Sequence, residues 1–475
     1  MPTTSLESGI GGISLYDLVV LGGGPAGYLA AARASSQGLR VALIEKKLLG
    51  GECTNWGCIP TKTLIEVSES FHKLKLMRQA GFSLDVKSIA WEQLSEYISR
   101  AVLRSREGVK TLLSDVEVIE GFGKLASPRR VRVKTSGSVR DLESRYILVA
   151  TGSDPKDIPS AKIDGEYVIT NREFFELKRI PDSITVIGAG AVGVEIATAL
   201  AMLDREVYLV EILERPLYFA DPDVSAVVER SLRRLGVKAF FKAVTKSVEI
   251  VNGTAVTTIS LGDGSVKVLK SEKVLVAVGR KPNVENIGLE IVGIEYDTKS
   301  GIKVGENMVT NVPSILAAGD VTGPPQLAHK ALREAVIASD YVMGYANLPP
   351  RTPIPQVVFS HPQVALVGLT EQDAATAGVS YRVFKFPYVA LGRNTTALAK
   401  SSEGFVKVLV GDSGKILGAQ IVGNEASELI HVFCLAVAKN LSIKDVADVI
   451  YAHPTYSEVI GEVANLALGR PMHIR

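Results

Sequence analysis

Two hydrophobic periods alternate along this chain, and the switches between them mark its elements. Tyr16-Asp17-Leu18-Val19-Val20-Leu21 is a near-continuous apolar run, the pattern of a buried strand. It meets the turn Gly22-Gly23-Gly24-Pro25-Ala26-Gly27, an alanine-rich helical stretch at 28–37, and a second buried run, Val41-Ala42-Leu43-Ile44, ending at Glu45. The succession recurs as a strand at 183–187, the turn Gly188-Ala189-Gly190-Ala191-Val192-Gly193, a helix at 194–203, a strand at 207–210 and then Glu211. First glycine and acid are equally far apart in the two copies. Strand, glycine turn, helix, strand and acid make up the dinucleotide fingerprint in its full context. The turn admits a pyrophosphate at a helix N-terminus, and the acid can accept hydrogen bonds from a ribose. Two copies predict two dinucleotide sites.

The other periods fill in around these copies. Residues 64–110 carry two helical patterns, 115–149 alternating strands with Gly and Ser turns, and 154–159 a linker. The stretch 237–278 is a run of short strands, with Asn252-Gly253 and Gly262-Asp263-Gly264 as hairpin turns. Ile315-Leu316-Ala317-Ala318-Gly319-Asp320 is a strand followed by a Gly-Asp pair, and Leu327-Ala328-His329-Lys330-Ala331 opens a helix. Prolines at 349, 350, 353 and 355 mark a boundary. Beyond them, strands at 357–368, 381–386 and 404–410 and helices at 427–439 and 456–468 predict an α+β unit.

Composition narrows the class. A chain of 475 residues predicts about three domains. A formal net charge of +2 gives no global field for nucleic acid. Arg100, Arg104, Arg106 and Lys110 fall at helical spacing and read as a solvated face. No window of about 18 apolar residues predicts a membrane span. The opening stretch 1–15 lacks a basic start and a long apolar core, so no signal or transit peptide is expected. Only three cysteines in this length point to a reducing compartment, and the expected location is cytoplasmic.

Two of the three cysteines fall in Gly50-Gly51-Glu52-Cys53-Thr54-Asn55-Trp56-Gly57-Cys58-Ile59-Pro60-Thr61-Lys62. Leu64, Ile65, Val67, Phe71 and Leu74 follow at helical spacing, and proline suits a first helical turn. Cys58 therefore stands at a helix N-terminus, where partial positive charge favours a thiolate. Cys53 is close enough to close a small disulfide ring with it. A purely structural disulfide of that size gains little from loop entropy, and a zinc site needs ligands that no nearby Cys or His cluster supplies. Redox exchange is the reading these residues favour, with a structural disulfide or a metal ligand pair as the alternatives. Cys434, in an apolar helical run, reads as core, and His72, His361, His431 and His473 show no ligand spacing; no metal site is expected. In Tyr451-Ala452-His453-Pro454-Thr455-Tyr456-Ser457-Glu458 the acid can reach back to the imidazole, which is general-base equipment or an ordinary surface hydrogen bond.

The segment from Gly50 to Lys62 resembles the redox-disulfide segment of the flavin-dependent pyridine nucleotide–disulfide oxidoreductases, and the resemblance extends from residue 16 to about 470. It implies an α/β fold with two Rossmann-like dinucleotide-binding domains plus a C-terminal α+β dimerisation domain. The expected boundaries are 1–155 and 283–350 for the FAD-binding parts, 156–282 for NAD and 351–475 for dimerisation. FAD is implied at the first fingerprint, held by Gly22, Gly24, Pro25, Ala26, Gly27, Glu45 and Gly51. Thr151 and Gly152 in the strand exit, Gly319 and Asp320 at the ribityl chain, and Ala328 at a helix N-terminus complete that set. NAD is implied at the second, through Gly188, Gly190, Gly193, Glu211 and Gly279. Glu211 favours an unmodified ribose over a 2′-phosphate, and Arg215 follows it only four residues later.

The same resemblance implies roles for single residues. Cys53 and Cys58 form the redox pair, Lys62 and Glu195 an ion pair beside the flavin, and His453, oriented by Glu458 and supplied by the partner of a homodimer, the general base. Ala328-His329-Lys330-Ala331 is most similar to members acting on dihydrolipoamide, which implies oxidation of a lipoyl dithiol with NAD as acceptor. A 2-oxo-acid dehydrogenase complex then stands as a further partner. Mercuric reductases would want a C-terminal cysteine pair, and glutathione-type reductases arginines where Glu211 stands. The ECTNWG wording partly resembles soluble transhydrogenases, which lack the second cysteine. Another small disulfide substrate, or a non-catalytic flavoprotein, are the alternatives.

Overall fold

The computed structural model describes residues 15–83, 89–348, 352–398 and 403–474. Residues 1–14 and the prolines at 349 and 350, which figure in the sequence reading, lie outside the described residues. The apolar run at 16–21 becomes the strand Leu15–Leu21, with the helix Pro25–Ser36 beginning directly on the glycine turn. Proline at the first helical position needs no amide partner, which moves the helix start forward from the expected residue 28.

One compact unit comprises Met1–Ile59, Val102–Asp154 and Arg280–Arg351. Its sheet runs Glu117–Glu120, Val41–Glu45, Leu15–Leu21, Val139–Val149, Arg130–Lys134 and Phe122–Ser127, with Ile315–Ala317 also paired to Val139–Val149. The pairings of Leu15–Leu21 with Val41–Glu45 and Val139–Val149 are parallel, as are those of Ile315–Ala317 and Glu117–Glu120, while Arg130–Lys134 and Phe122–Ser127 pair antiparallel. The long strand Val139–Val149 serves both: its first half pairs Arg130–Lys134 and its second half pairs the parallel strands. Leu18, Val20, Leu43 and Leu148 pack on one face with Ala30, Ala31, Ala34 and Ala335 of two helices, and small alanines let those helices lie close. The stretch expected as a linker opens instead with a short strand, Ser153–Pro155, paired with Arg280–Pro282.

The other unit comprises Pro60–Ala101, Pro155–Gly279 and Thr352–Arg475. It holds a parallel sheet ordered Lys238–Phe240, Glu206–Val210, Ser183–Ile187, Lys273–Val276 and Val168–Ile169. Beside it stands an antiparallel meander, Val244–Val251, Thr254–Ser260 and Val266–Ser271. Asn252 and Gly253, both at positive φ, make its first hairpin turn. An antiparallel sheet ordered Gln356–Val358, Gln363–Gly368, Ile416–Gly423, Phe405–Gly411 and Tyr381–Pro387 carries the helices Ala426–Ala438 and Glu458–Ala467. Two Rossmann-like halves and a C-terminal α+β part thus form the α/β fold. No described helix is long and apolar enough to cross a membrane.

Candidate active site

The two fingerprint turns are built alike. A Cβ on Gly22 would lie 2.3 Å from Ala150 O, and one on Gly188 2.4 Å from Ala277 O, so the first glycine of each turn passes against the neighbouring strand. A Cβ on Gly27 would lie 1.8 Å from Gly22 O, and one on Gly193 1.9 Å from Gly188 O, so the third admits the helix. The middle glycines differ: Gly190 faces nothing within 4 Å, and Gly24 only Gly51 Cα at 3.9 Å. That open floor at a helix N-terminus is the cradle a pyrophosphate needs, and both dinucleotides fit.

The acids close the turns. Glu45 accepts hydrogen bonds from Gly23 N and Lys47 N, both at 2.7 Å. Glu211 does the same for Ala189 N at 2.6 Å and Leu213 N at 2.9 Å. Each carboxylate therefore braces its own glycine turn, a duty its position at a strand end does not announce. Each oxygen keeps a lone pair for a ribose hydroxyl.

The cysteine segment is fastened to the first turn. Gly50 N donates to Gly23 O at 2.8 Å, and Gly51, at φ +58°, packs so close to Gly24 that a Cβ would come within 2.7 Å of its Cα. Cys53 rides on a five-residue helix, Gly51–Asn55, which no hydrophobic period announces. Cys58 begins the helix Cys58–Leu76, with Pro60 in its first turn. Asn55 Nδ2 donates to Leu49 O and Gly51 O, at 3.0 and 2.8 Å, and its Oδ1 accepts from Arg106 Nε at 3.0 Å. Arg106 is thus no part of a merely solvated face; it steadies the cysteine helix, and helical spacing alone cannot show that.

Asp320 opens the turn Asp320–Thr322 and accepts from Ser153 Oγ at 2.6 Å. Lys330 and Glu334, one turn apart on the helix Ala328–Val342, hold this turn from beneath. Lys330 Nζ donates to Gly319 O, Thr322 Oγ1 and Gly323 O, while Glu334 accepts from Gly319 N. Their i, i+4 spacing was the available signal for this clamp. Thr151 and Gly152 are tied to Asn283 by three hydrogen bonds, and Gly279 O accepts from Lys156 N at 2.9 Å.

Lys62 and Glu195 meet, Nζ lying 3.0 and 2.9 Å from the two carboxylate oxygens. Glu195 also accepts from Phe359 N at 3.0 Å, and Lys62 Nζ stands 4.7 Å from the Phe359 ring centre. A carboxylate buried to this degree needs these partners. His453 Nδ1 lies 2.8 Å from Glu458 Oε1, whose other oxygen accepts from Thr455 N at 2.8 Å. The imidazole side chain is 73% exposed, so Glu458 fixes one ring nitrogen and leaves Nε2 to the outside. A second pair of this type joins His473 to Glu462 at 2.6 Å, which holds the imidazole above the ordinary histidine range. Cys434 packs in the C-terminal core, and burial pushes its thiol up to about 11.

The pattern of the pyridine nucleotide-disulphide oxidoreductases matches residues 16–335, and that of their dimerisation domain residues 354–464. The chain is 36% identical to the dihydrolipoyl dehydrogenase of Zymomonas mobilis, over 96% of this chain and 99% of that enzyme. It is 35% identical to that of Geobacillus stearothermophilus, over 96% and 97%. Among solved structures, LpdA from Mycobacterium tuberculosis superposes with a TM-score of 0.86 at 29% identity, over 95% of this chain and 99% of that one. Paired fingerprint turns, a cysteine pair docked on the first of them, and a match that continues through the dimerisation domain leave one assignment: the chain belongs to the pyridine nucleotide-disulphide oxidoreductase family.

Proposed function

We propose that this homodimeric, FAD-dependent enzyme oxidises a dihydrolipoyl dithiol to the disulfide with NAD as acceptor. The observation that carries the reading is the seating of the Cys53–Cys58 segment on the first fingerprint turn through Gly51 and Gly24. Full-length similarity to dihydrolipoyl dehydrogenases supports this substrate over others in the family. FAD, when bound, supplies the two-electron link between dithiol and nicotinamide.

The chain's own residues supply the thiol chemistry. One substrate thiolate attacks Cys53, forming a mixed disulfide and releasing Cys58 as a thiolate, which the helix N-terminus favours. The second substrate thiolate attacks the substrate sulfur of that mixed disulfide, so the lipoyl disulfide forms and Cys53 is released. His453, supplied by the partner subunit, takes the thiol proton on Nε2 while Glu458 holds Nδ1–H. Lys62 and Glu195 neutralise one another. Glu211 at the second fingerprint repels a 2′-phosphate, so NAD should exceed NADP by at least about tenfold in kcat/KM, roughly 1.4 kcal/mol. A lipoyl group carried on a 2-oxo-acid dehydrogenase complex is the macromolecular form of this substrate, and a reducing compartment such as the cytoplasm suits the pair.

A steady-state panel tests the reading: dihydrolipoamide with NAD or NADP, against glutathione disulfide and mercuric ion with NADH or NADPH. Dihydrolipoamide with NAD should dominate. A higher kcat/KM for glutathione disulfide or mercuric ion would transfer the enzyme to another substrate class, and equal use of NAD and NADP would remove the role given to Glu211.

A further inference from the structure

A line of charged and polar side chains from distant parts of the sequence begins beside Cys53. Glu52 precedes Cys53 on the helix Gly51–Asn55, and its Oε1 lies 3.3 Å from Arg280 Nη1. Arg280 is anchored in turn: Nε donates to Ser153 Oγ at 2.8 Å and Nη2 to Ser153 O at 2.7 Å. Ser153 Oγ then donates to Asp320 Oδ2 at 2.6 Å. The side chains of Glu52 and Arg280 are only 20% and 18% exposed. Neither takes part in the thiol exchange described above.

Reducing a disulfide to a pair that keeps one thiolate adds negative charge where the cysteines sit. A carboxylate on the adjoining residue opposes that gain, and a guanidinium held against it favours the gain. With both groups mostly out of water, their effect on the sulfurs is weakly screened. Two bonds to Ser153 keep the Arg280 fork in one orientation, as a lysine ammonium would not be kept.

We propose that Glu52 and Arg280 are positioning residues that set the disulfide–dithiol balance of Cys53 and Cys58 from opposite sides, Glu52 favouring the disulfide and Arg280 the reduced pair. The proposal rests on the redox reading of the two cysteines. In the exchange it concerns, two electrons come from a dithiol reductant whose own sulfurs join. The Cys53–Cys58 bond breaks, one of the two released protons goes to a cysteine sulfur, and the other goes to water while the second sulfur stays a thiolate.

The test equilibrates the FAD-loaded enzyme anaerobically in graded reduced and oxidised dithiothreitol at pH 7.5. Thiols are then trapped with a maleimide, and the alkylation of Cys53 and Cys58 is read by peptide mass spectrometry. Glu52→Gln should shift the equilibrium about tenfold toward the dithiol, and Arg280→Gln about tenfold toward the disulfide, each about 30 mV. The double variant should return to within about threefold of wild type, the two opposed charges being removed together. Arg280→Lys keeps the charge and loses the bonds to Ser153, so it should stay on the wild-type side of Arg280→Gln. Should Arg280→Gln not fold with FAD, the sign and size of the Glu52→Gln shift decide alone. Single variants that move the balance the same way, or a Glu52→Gln shift toward the disulfide or below about twofold, would overturn the proposal. If wild-type Cys53 and Cys58 never interconvert across the series, the redox reading itself fails instead.

Discussion

His361 has no place in the proposed reaction, yet its environment makes it a determinant of acid stability. Burial pushes its imidazole down to about 4, with the ring of His72, at 5.6 Å centre to centre, and the charges of Lys73 and Arg234 adding to the shift. In the unfolded chain the group titrates near its ordinary 6.5. Between those values the unfolded chain holds the proton and the folded one does not. Its contribution is therefore complete above about pH 6.5 and is lost as pH falls toward 4, a span of about 3 kcal/mol. Urea denaturation should show about 2 kcal/mol of this loss between pH 6.5 and 5, and His361→Gln should flatten it. Acid profiles that stay parallel in wild type and variant would assign the loss to other groups. His473 carries the opposite sign. Its hydrogen bond to Glu462 raises it, so its contribution is present below the ordinary histidine range and fades as pH rises through the raised value. Being largely exposed, it counts for less.

Among elements, the strand Phe405–Gly411 shows how far a local pattern can be read. Its apolar run predicts a buried strand, which it is, but it also contains Lys407, 0% exposed. The ammonium sits among Asp221 at 2.6 Å and Asp223 and Glu371 at 2.8 Å, and so occupies the space that three converging carboxylates would otherwise offer to a cation. Burial alone would lower the Lys407 pKa, but hydrogen bonds to the three acids outweigh it and hold the group above the usual lysine range. Lys407→Met should therefore leave clustered carboxylates uncompensated and cost about 3–5 kcal/mol. A urea midpoint within about 1 kcal/mol of wild type would show that water replaces the ammonium. Glu371 and Asp223 stand 36 and 184 residues away, and no period in the sequence announces them. Separations of 228 and 51 residues likewise hide Arg280 from Glu52 and Arg106 from Asn55. The fingerprint turns, by contrast, are legible because strand, glycines, helix and acid are contiguous, and the physics that selects each glycine is local. The helix Gly51–Asn55 is too short to show a period at all.

At the scale of the whole molecule, the exposed end of the C-terminal part gives the strongest reason to think the active site needs two chains. Ile450 is 97% exposed and Val449 52%, immediately before the segment that carries His453. Apolar side chains so placed in a dimerisation domain are a surface for a second copy to cover. Glu458 and Thr455 meanwhile hold the His453 ring in a fixed orientation although the ring itself stands open. An imidazole pinned through one nitrogen and presented outward is arranged to act on something brought to it. His453→Gln should cut dihydrolipoamide oxidation by roughly a hundredfold or more, the scale of a lost general base. FAD content and thermal midpoint should be retained, because the exposed ring packs against little. Cys53→Ser should be inactive for an independent reason, the loss of the sulfur that substrate attacks. Co-expressing the two variants under different affinity tags and isolating the heterodimer brings these losses together. If His453 of the partner subunit serves Cys53, each heterodimer contains one site with both residues intact and one with neither, and about half of the wild-type activity per dimer should return. Verified heterodimers as inactive as their parents would place His453 and Cys53 of the same chain in one site.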